Sequence, residues 1–186
     1  MTSASGNGNL FSWPHSGGAT GIAAGDAICQ KLASDALLDD PAQYKAWLSD
    51  STVDAKARFQ TSGPWVRPDG TLIARDASSL TQGDLLTAID QTETGLYFGA
   101  ATVWTGTSNN GTKQTNTCTN WTTASSATQG VTGQADDSTF WTDQAPSTPC
   151  NITTAHLYCL GGASLKLFSD GFELGTTAAW SHTGFF

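Results

Sequence analysis

Asp136, Asp137 and Asp143 are the acidic side chains between Thr102 and Thr154, and clustered carboxylates are what a hard cation such as calcium binds. A calcium ion takes six to eight oxygen ligands, so three acids need backbone carbonyls beside them. Without those carbonyls they form a solvated acidic pair and one strand-end carboxylate. The sequence favours this second reading, so no metal or other cofactor is expected. The four cysteines, Cys29, Cys118, Cys150 and Cys159, lack the Cys-x-x-Cys spacing of a zinc or redox motif. They read as disulfides of an oxidising compartment. Their placement suggests a long closure from Cys29 to Cys159 around a local one from Cys118 to Cys150, although four cysteines allow three connectivities. His15, His156 and His182 stand far apart. No nucleophile elbow, His-Glu-x-x-His helix or phosphate-binding glycine loop is present, which argues against an enzyme.

The elements that must position these residues belong to a chain of 186 residues, a length that fits one domain. Charged residues make up 13% against roughly 25% in ordinary domains, and the net charge is −8. Nucleic-acid binders gather Lys and Arg on one face, and here Lys113 is the one base between Thr102 and Thr154, so no nucleic-acid partner is expected. No apolar run reaches the ~20 residues of a membrane span. The polar, Thr- and Asn-rich composition with paired cysteines places the chain outside the cell or on its surface.

Residues 1–10 are Gly, Ser and Asn in the main and read as a flexible leader. Ile28, Leu32, Ala36 and Leu37 recur at helical spacing and predict a helix over 26–38, with Cys29 near its buried face. Residues 44–48 read as a strand, and Ser51-Thr52-Val53-Asp54 resembles a capping box opening a helix through 59. Pro68-Asp69-Gly70 marks a turn in a region of short ribbons. Segments 101–106, 118–122, 139–143 and 156–160 carry the aromatic and β-branched residues of strands. In the third of these, Trp141 and Asp143 would share a face opposite Thr142.

Helix-borne Cys29, then Val103-Trp104-Thr105-Gly106, Cys118, Trp141-Thr142-Asp143, Cys150 and Leu157-Tyr158-Cys159 resemble, in that order, the C-type lectin-like fold. Gly25-Asp26-Ala27-Ile28-Cys29 and Tyr44-Lys45-Ala46-Trp47-Leu48-Ser49-Asp50 are most similar to its endostatin-related branch and to an allied bacterial family of unknown function. The resemblance covers residues 11–160. It implies an α+β domain with two helices packed on antiparallel sheets, long polar loops and neighbouring termini. It also implies nested disulfides, Cys29–Cys159 and Cys118–Cys150. Sugar-binding members hold calcium through a Glu-Pro-Asn or Gln-Pro-Asp tripeptide and a Trp-Asn-Asp. Here the tripeptide is missing and Thr142 stands where Asn is expected.

The expected function is therefore a secreted or cell-surface recognition module that binds a glycan or extracellular protein through loops 107–149 without the usual lectin calcium. Asn109, Asn110, Asn120, Trp121, Asp136, Asp137, Trp141 and Asp143 share that excursion and are its candidate ligand-binding residues. Trp121 and Trp141 are the tryptophans best placed to offer a face to a ligand, although for each the sequence favours packing under a loop. The tail, 161–186, is acidic and aromatic. It reads as a secretion-related ending, an added strand, or an edge strand for self-association, and the last would make the chain a structural or adhesin subunit.

Overall fold

The computed structural model describes residues 1–59, 63–82 and 85–161. Residues 162–186, and with them the secretion-related, added-strand and self-association readings of the tail, therefore lie outside the described residues. Helix α1 (Gly21–Asp35) turns Ala24, Ile28 and Leu32 inward, a four-residue repeat that stacks on one helical face. Gly25 lies on the same side, where a Cβ would come within 2.9 Å of Leu48 and 3.0 Å of Ala46. The expected helix, 26–38, is corrected at both ends. Asp26 is an interior residue whose carboxylate accepts from the Ala46 N–H at 2.9 Å and from Arg58 at 2.6 Å. The helix stops because Leu37 adopts φ +56, while the N–H groups of Leu37 and Leu38 return to the Ser34 and Ala33 carbonyls.

β1 (Lys45–Ala46) pairs antiparallel with β8 (Cys159–Leu160), and β2 (Trp65–Val66) pairs with β3 (Leu72–Ala74). The second expected helix shrinks to one turn, α2 (Ala55–Arg58). Its capping box is not used: Asp50 accepts the Thr52 and Val53 N–H groups, and the Ala55 N–H goes to Ser49 Oγ. The main sheet has the order β6-β5-β4-β7, built from β4 (Thr102–Trp104), β5 (Gln129–Gln134), β6 (Ala145–Pro149) and β7 (His156–Leu157). β4 and β7 run parallel, a departure from the expected antiparallel sheets. Along β4 the alternation sends Val103 to a core containing Trp47, Phe59, Trp141 and Tyr158. Trp104 goes to a second core containing Leu10, Ile28, Trp121 and Leu157.

Two expected strands are absent. Residues 139–143 form bends, so Trp141 and Asp143 do not share a strand face. Cys118 to Trp121 form a left-handed turn, with φ of 48, 53, 57 and 64. Each non-glycine residue in that conformation costs roughly 1–2 kcal/mol. The Trp121 N–H bond to Thr117 O at 2.7 Å, the indole bond to Ser49 O at 2.8 Å and the Cys118–Cys150 cystine offset it. Sequence reasoning missed two strands of the main sheet, β5 and β6, and β5 carries two glycines where bulk approaches. A Cβ on Gly130 would meet the Trp104 ring at 2.7 Å, and one on Gly133 would strike the Trp141 carbonyl.

Both disulfides have the nested pairing, Cys29–Cys159 with Cα atoms 5.4 Å apart and Cys118–Cys150 with 5.6 Å. The expected flexible leader is corrected, because the first ten residues are woven into the fold. Thr2, Gly6 and Gly8 donate backbone hydrogen bonds to Leu157, Ala155 and Cys150, and Leu10 is fully buried. Side chains cannot order a Gly- and Asn-rich segment, but a neighbouring strand edge can, through the backbone.

His156 joins this N-terminal segment to β7: its Nδ1 lies 2.8 Å from the Thr2 carbonyl, and the Phe98 ring packs against its imidazole. Burial holds its pKa below the ordinary 6.5. The unfolded chain then takes up the proton first, so this contribution to stability is complete above pH 6.5 and is lost as pH falls through the lowered folded value. The melting temperature is expected to drop on acidification below 6.5, and the part of that drop removed in His156→Gln measures it.

Candidate functional site

The strand register divides the expected ligand-binding residues between two ends of the main sheet. Thr102 pairs with Gln134 and Trp104 with Thr132, so the Asp136, Asp137 and Asp143 loop lies beyond the start of β4, whereas Asn109, Asn110 and Asn120 lie beyond its end. Among the described residues no group of three or more His, Cys, Asp or Glu could hold a metal ion. Trp121 and Trp141 are both fully buried, so neither indole offers a face to a ligand, and their place in the candidate set is corrected to core. Trp141 packs on Trp47 at 5.0 Å and Tyr158 at 5.5 Å between ring centroids.

The polar residues of these loops mostly bind the loops themselves. Asn110 Oδ1 accepts from Ser108 Oγ, Thr112 N and Thr112 Oγ1. Asn120 accepts the Ser51 N–H and donates to Ser51 Oγ, tying the left-handed turn to the neighbouring loop. Asp137 accepts the Thr139 and Phe140 N–H groups, and Asp136 accepts from Gln134. Asn109 is exposed and Asp143 half-buried.

A different face carries an aromatic surface. The chain turns tightly after Asp90: the Thr92 N–H donates to Leu96 O at 2.8 Å, Phe98 N–H to Asp90 O at 2.9 Å, and Gly95 supplies φ +83. The turn exposes Leu96, Tyr97 and Phe98 in succession, Tyr97 by 60%. Arg67 lies over the Tyr97 ring at 5.3 Å, and the Tyr97 hydroxyl donates to Asp69 Oδ2 at 2.6 Å. Arg67 is itself fixed by Asp90 at 2.7 Å and Asp69 at 3.0 Å. The bond from Tyr97, with those from the Thr71 N–H and Arg67, holds Asp69 well below the usual carboxylate range, and the same bond raises the Tyr97 phenol. Ring and tip are therefore both pinned, with the outer face free for contact.

Beside this platform runs a groove of about 300 Å³. Leu32, Trp65, Ile73 and the Cys29–Cys159 cystine form its apolar walls, while Tyr44, Arg67 and Glu93 lie among its polar lining. Trp65 Nε1 donates to Gly161 O at 3.0 Å, which fixes one wall to the strand carrying Cys159. Burial, then the nearby Asp39 and Asp40, raise the Tyr44 phenol, so it stays a neutral donor at physiological pH. Sequence reasoning took this region as turns and missed its residues. The available signals were Trp65 and Arg67 at strand spacing in a chain with few bases, and the apolar triplet Leu96-Tyr97-Phe98 beside turn residues.

No curated protein matches the sequence. The bacterial family described as "Protein of unknown function (DUF1554)" matches residues 12–138, a span that contains Arg67, Asp69, Asp90 and Tyr97 and ends before Trp141, Cys150 and Cys159. That span is more than half of the chain, and the chain belongs to the DUF1554 family.

Proposed function

We propose that this chain is an extracytoplasmic recognition module on a C-type lectin-like scaffold, non-enzymatic, and that it binds a glycan on the Tyr97 face without calcium. Support for the scaffold comes from the nested cystines, the N-terminal segment running beside β7, and Val103-Trp104 on an interior strand of the main sheet. Two disulfides fit an oxidising compartment. No helix among the described residues is long and apolar enough to cross a membrane.

The observation that carries the reading is Tyr97: an aromatic ring 60% exposed yet held by a guanidinium on one face and a carboxylate at its tip. A sugar presents an apolar C–H face between hydroxyls, and a rigid ring meets that face with little conformational entropy to lose. The long polar loops, whose Asn and Asp groups bind one another, fit that role less well. A glycan array run with calcium and with chelator tests the proposal. Binding to one sugar class, equal in both conditions and lost in a Tyr97→Ala variant that stays folded at the temperature of the assay, is the expected result. Binding that requires calcium, or none that depends on Tyr97, would overturn it.

A further inference from the structure

The chain leaves its last described strand, β8, inside the groove. Gly161 lines the groove, and the Trp65 Nε1 bond to the Gly161 carbonyl at 3.0 Å fixes that exit against β2. The sequence then continues through Gly162-Ala163-Ser164 into Leu165-Lys166-Leu167-Phe168, an apolar run that neither the sheet nor the Tyr97 platform accounts for. We propose that this run occupies the groove of its own chain, as a C-terminal strap over the apolar wall.

The lining favours an apolar occupant over a polar one. Of its polar residues, Thr2, Arg67, Gln91 and Glu93 already bond within the fold. The Thr2 hydroxyl donates to the Ala4 carbonyl and accepts the Leu157 N–H, and the Gln91 amide donates to the Gly95 carbonyl and accepts the Asp69 N–H. Ser3 donates to both Glu93 oxygens, and Arg67 pairs with Asp69 and Asp90. Apolar wall is left uncovered beside them, since Val66 is 54% exposed and Leu38 half-buried. Covering that wall with leucine and phenylalanine removes apolar surface from water on both sides. Reach and size favour the chain's own segment. Leu165 to Phe168 stand four to seven residues past Gly161, a span of about 13–23 Å when extended. A tether that short holds a segment at an effective concentration on the order of millimolar. The cavity, about 300 Å³, is at the small end of ligand sites, so a short run of side chains fits it and a folded partner does not. Seated in extended form, Leu165 and Leu167 face the wall and Lys166 faces solvent.

Photo-crosslinking in the full chain tests this, with p-benzoylphenylalanine in place of Phe168 and an equal mixture of chains carrying light and heavy nitrogen. Mass spectrometry of the digest is expected to join residue 168 to groove residues such as Leu32, Val66 or Ile73 of the same chain, with both ends of each crosslink light or both heavy. Val66→Asp, at an exposed groove position, should cut the yield of those crosslinks by at least about tenfold, because a carboxylate resists burial under an apolar segment. The double variant Leu165→Asp with Leu167→Asp, which leaves every described residue intact, should do the same. Crosslinks that join light to heavy chains would show the segment seated in a second copy and overturn the strap. No crosslink to the groove, or a yield that both sets of aspartate substitutions leave unchanged, would overturn it as well. None of these outcomes depends on a glycan at Tyr97, so the strap and the glycan reading fail separately.

Discussion

Replacing Cys29 and Cys159 together by alanine is expected to lower the unfolding free energy by about 5 kcal/mol. The two residues are 130 positions apart, so their bond closes most of the described chain into a loop and removes a correspondingly large entropy from the unfolded state. Removing Cys118 and Cys150, 32 apart, should cost about 4 kcal/mol on the same reasoning. It would also release the left-handed turn, whose backbone depends on that anchor. Urea denaturation of both double variants measures the two effects. A loss below about 1 kcal/mol for the long closure would contradict the chain-entropy account. Because Cys29 and Cys159 line the groove, their removal should also weaken any ligand held there.

Trp141→Ala is expected to destabilise by roughly 3–5 kcal/mol, as large aromatic truncations in cores do. The Trp141 ring is fully buried between Trp47 and Tyr158, and Trp47 in turn donates its indole N–H to Thr142 Oγ1 at 2.8 Å. Truncation would open a cavity beside a tyrosine whose hydroxyl already lacks a hydrogen-bond partner among the described residues. Collapse around such a gap is limited because the neighbours are themselves rings pinned by the sheet. Asp143→Asn, two positions away and half-buried, should change stability little. Equal and small effects for both variants in denaturant melts would show that Trp141 is not a core residue.

The elements the sequence revealed are those in which local pattern and tertiary packing agree. Ile28 and Leu32 at helical spacing marked α1, and Val103 and Trp104 marked β4. The cysteine order left three pairings open, and the family resemblance implied the pairing found. Misreadings arose where backbone geometry outweighs composition. Cys118 to Trp121 have the residue types of a strand but wind left-handed, and β5 contains glycines because Trp104 and the Trp141 carbonyl occupy the space of side chains. The candidate ligand-binding residues come apart for a related reason. Asn109, Asn110, Asn120 and the three aspartates are close in sequence, yet the antiparallel turn from β4 to β5 carries them to opposite ends of the sheet. Arg67, Asp69, Asp90 and Tyr97 are spread over 31 positions and meet only through the β2–β3 hairpin and the turn after Asp90, a meeting that no local pattern announces.

The measurement that bears most directly on the central claim compares Tyr97→Ala with Asn110→Ala in binding the glycan that the wild-type chain retains on an array. If the Tyr97 face is the site, Tyr97→Ala should lose at least about tenfold in affinity, roughly 1.4 kcal/mol, while Asn110→Ala binds as wild type and both variants stay folded at the temperature of the assay. Loss of binding in Asn110→Ala with Tyr97→Ala unaffected would place the ligand on the long polar loops and contradict the account.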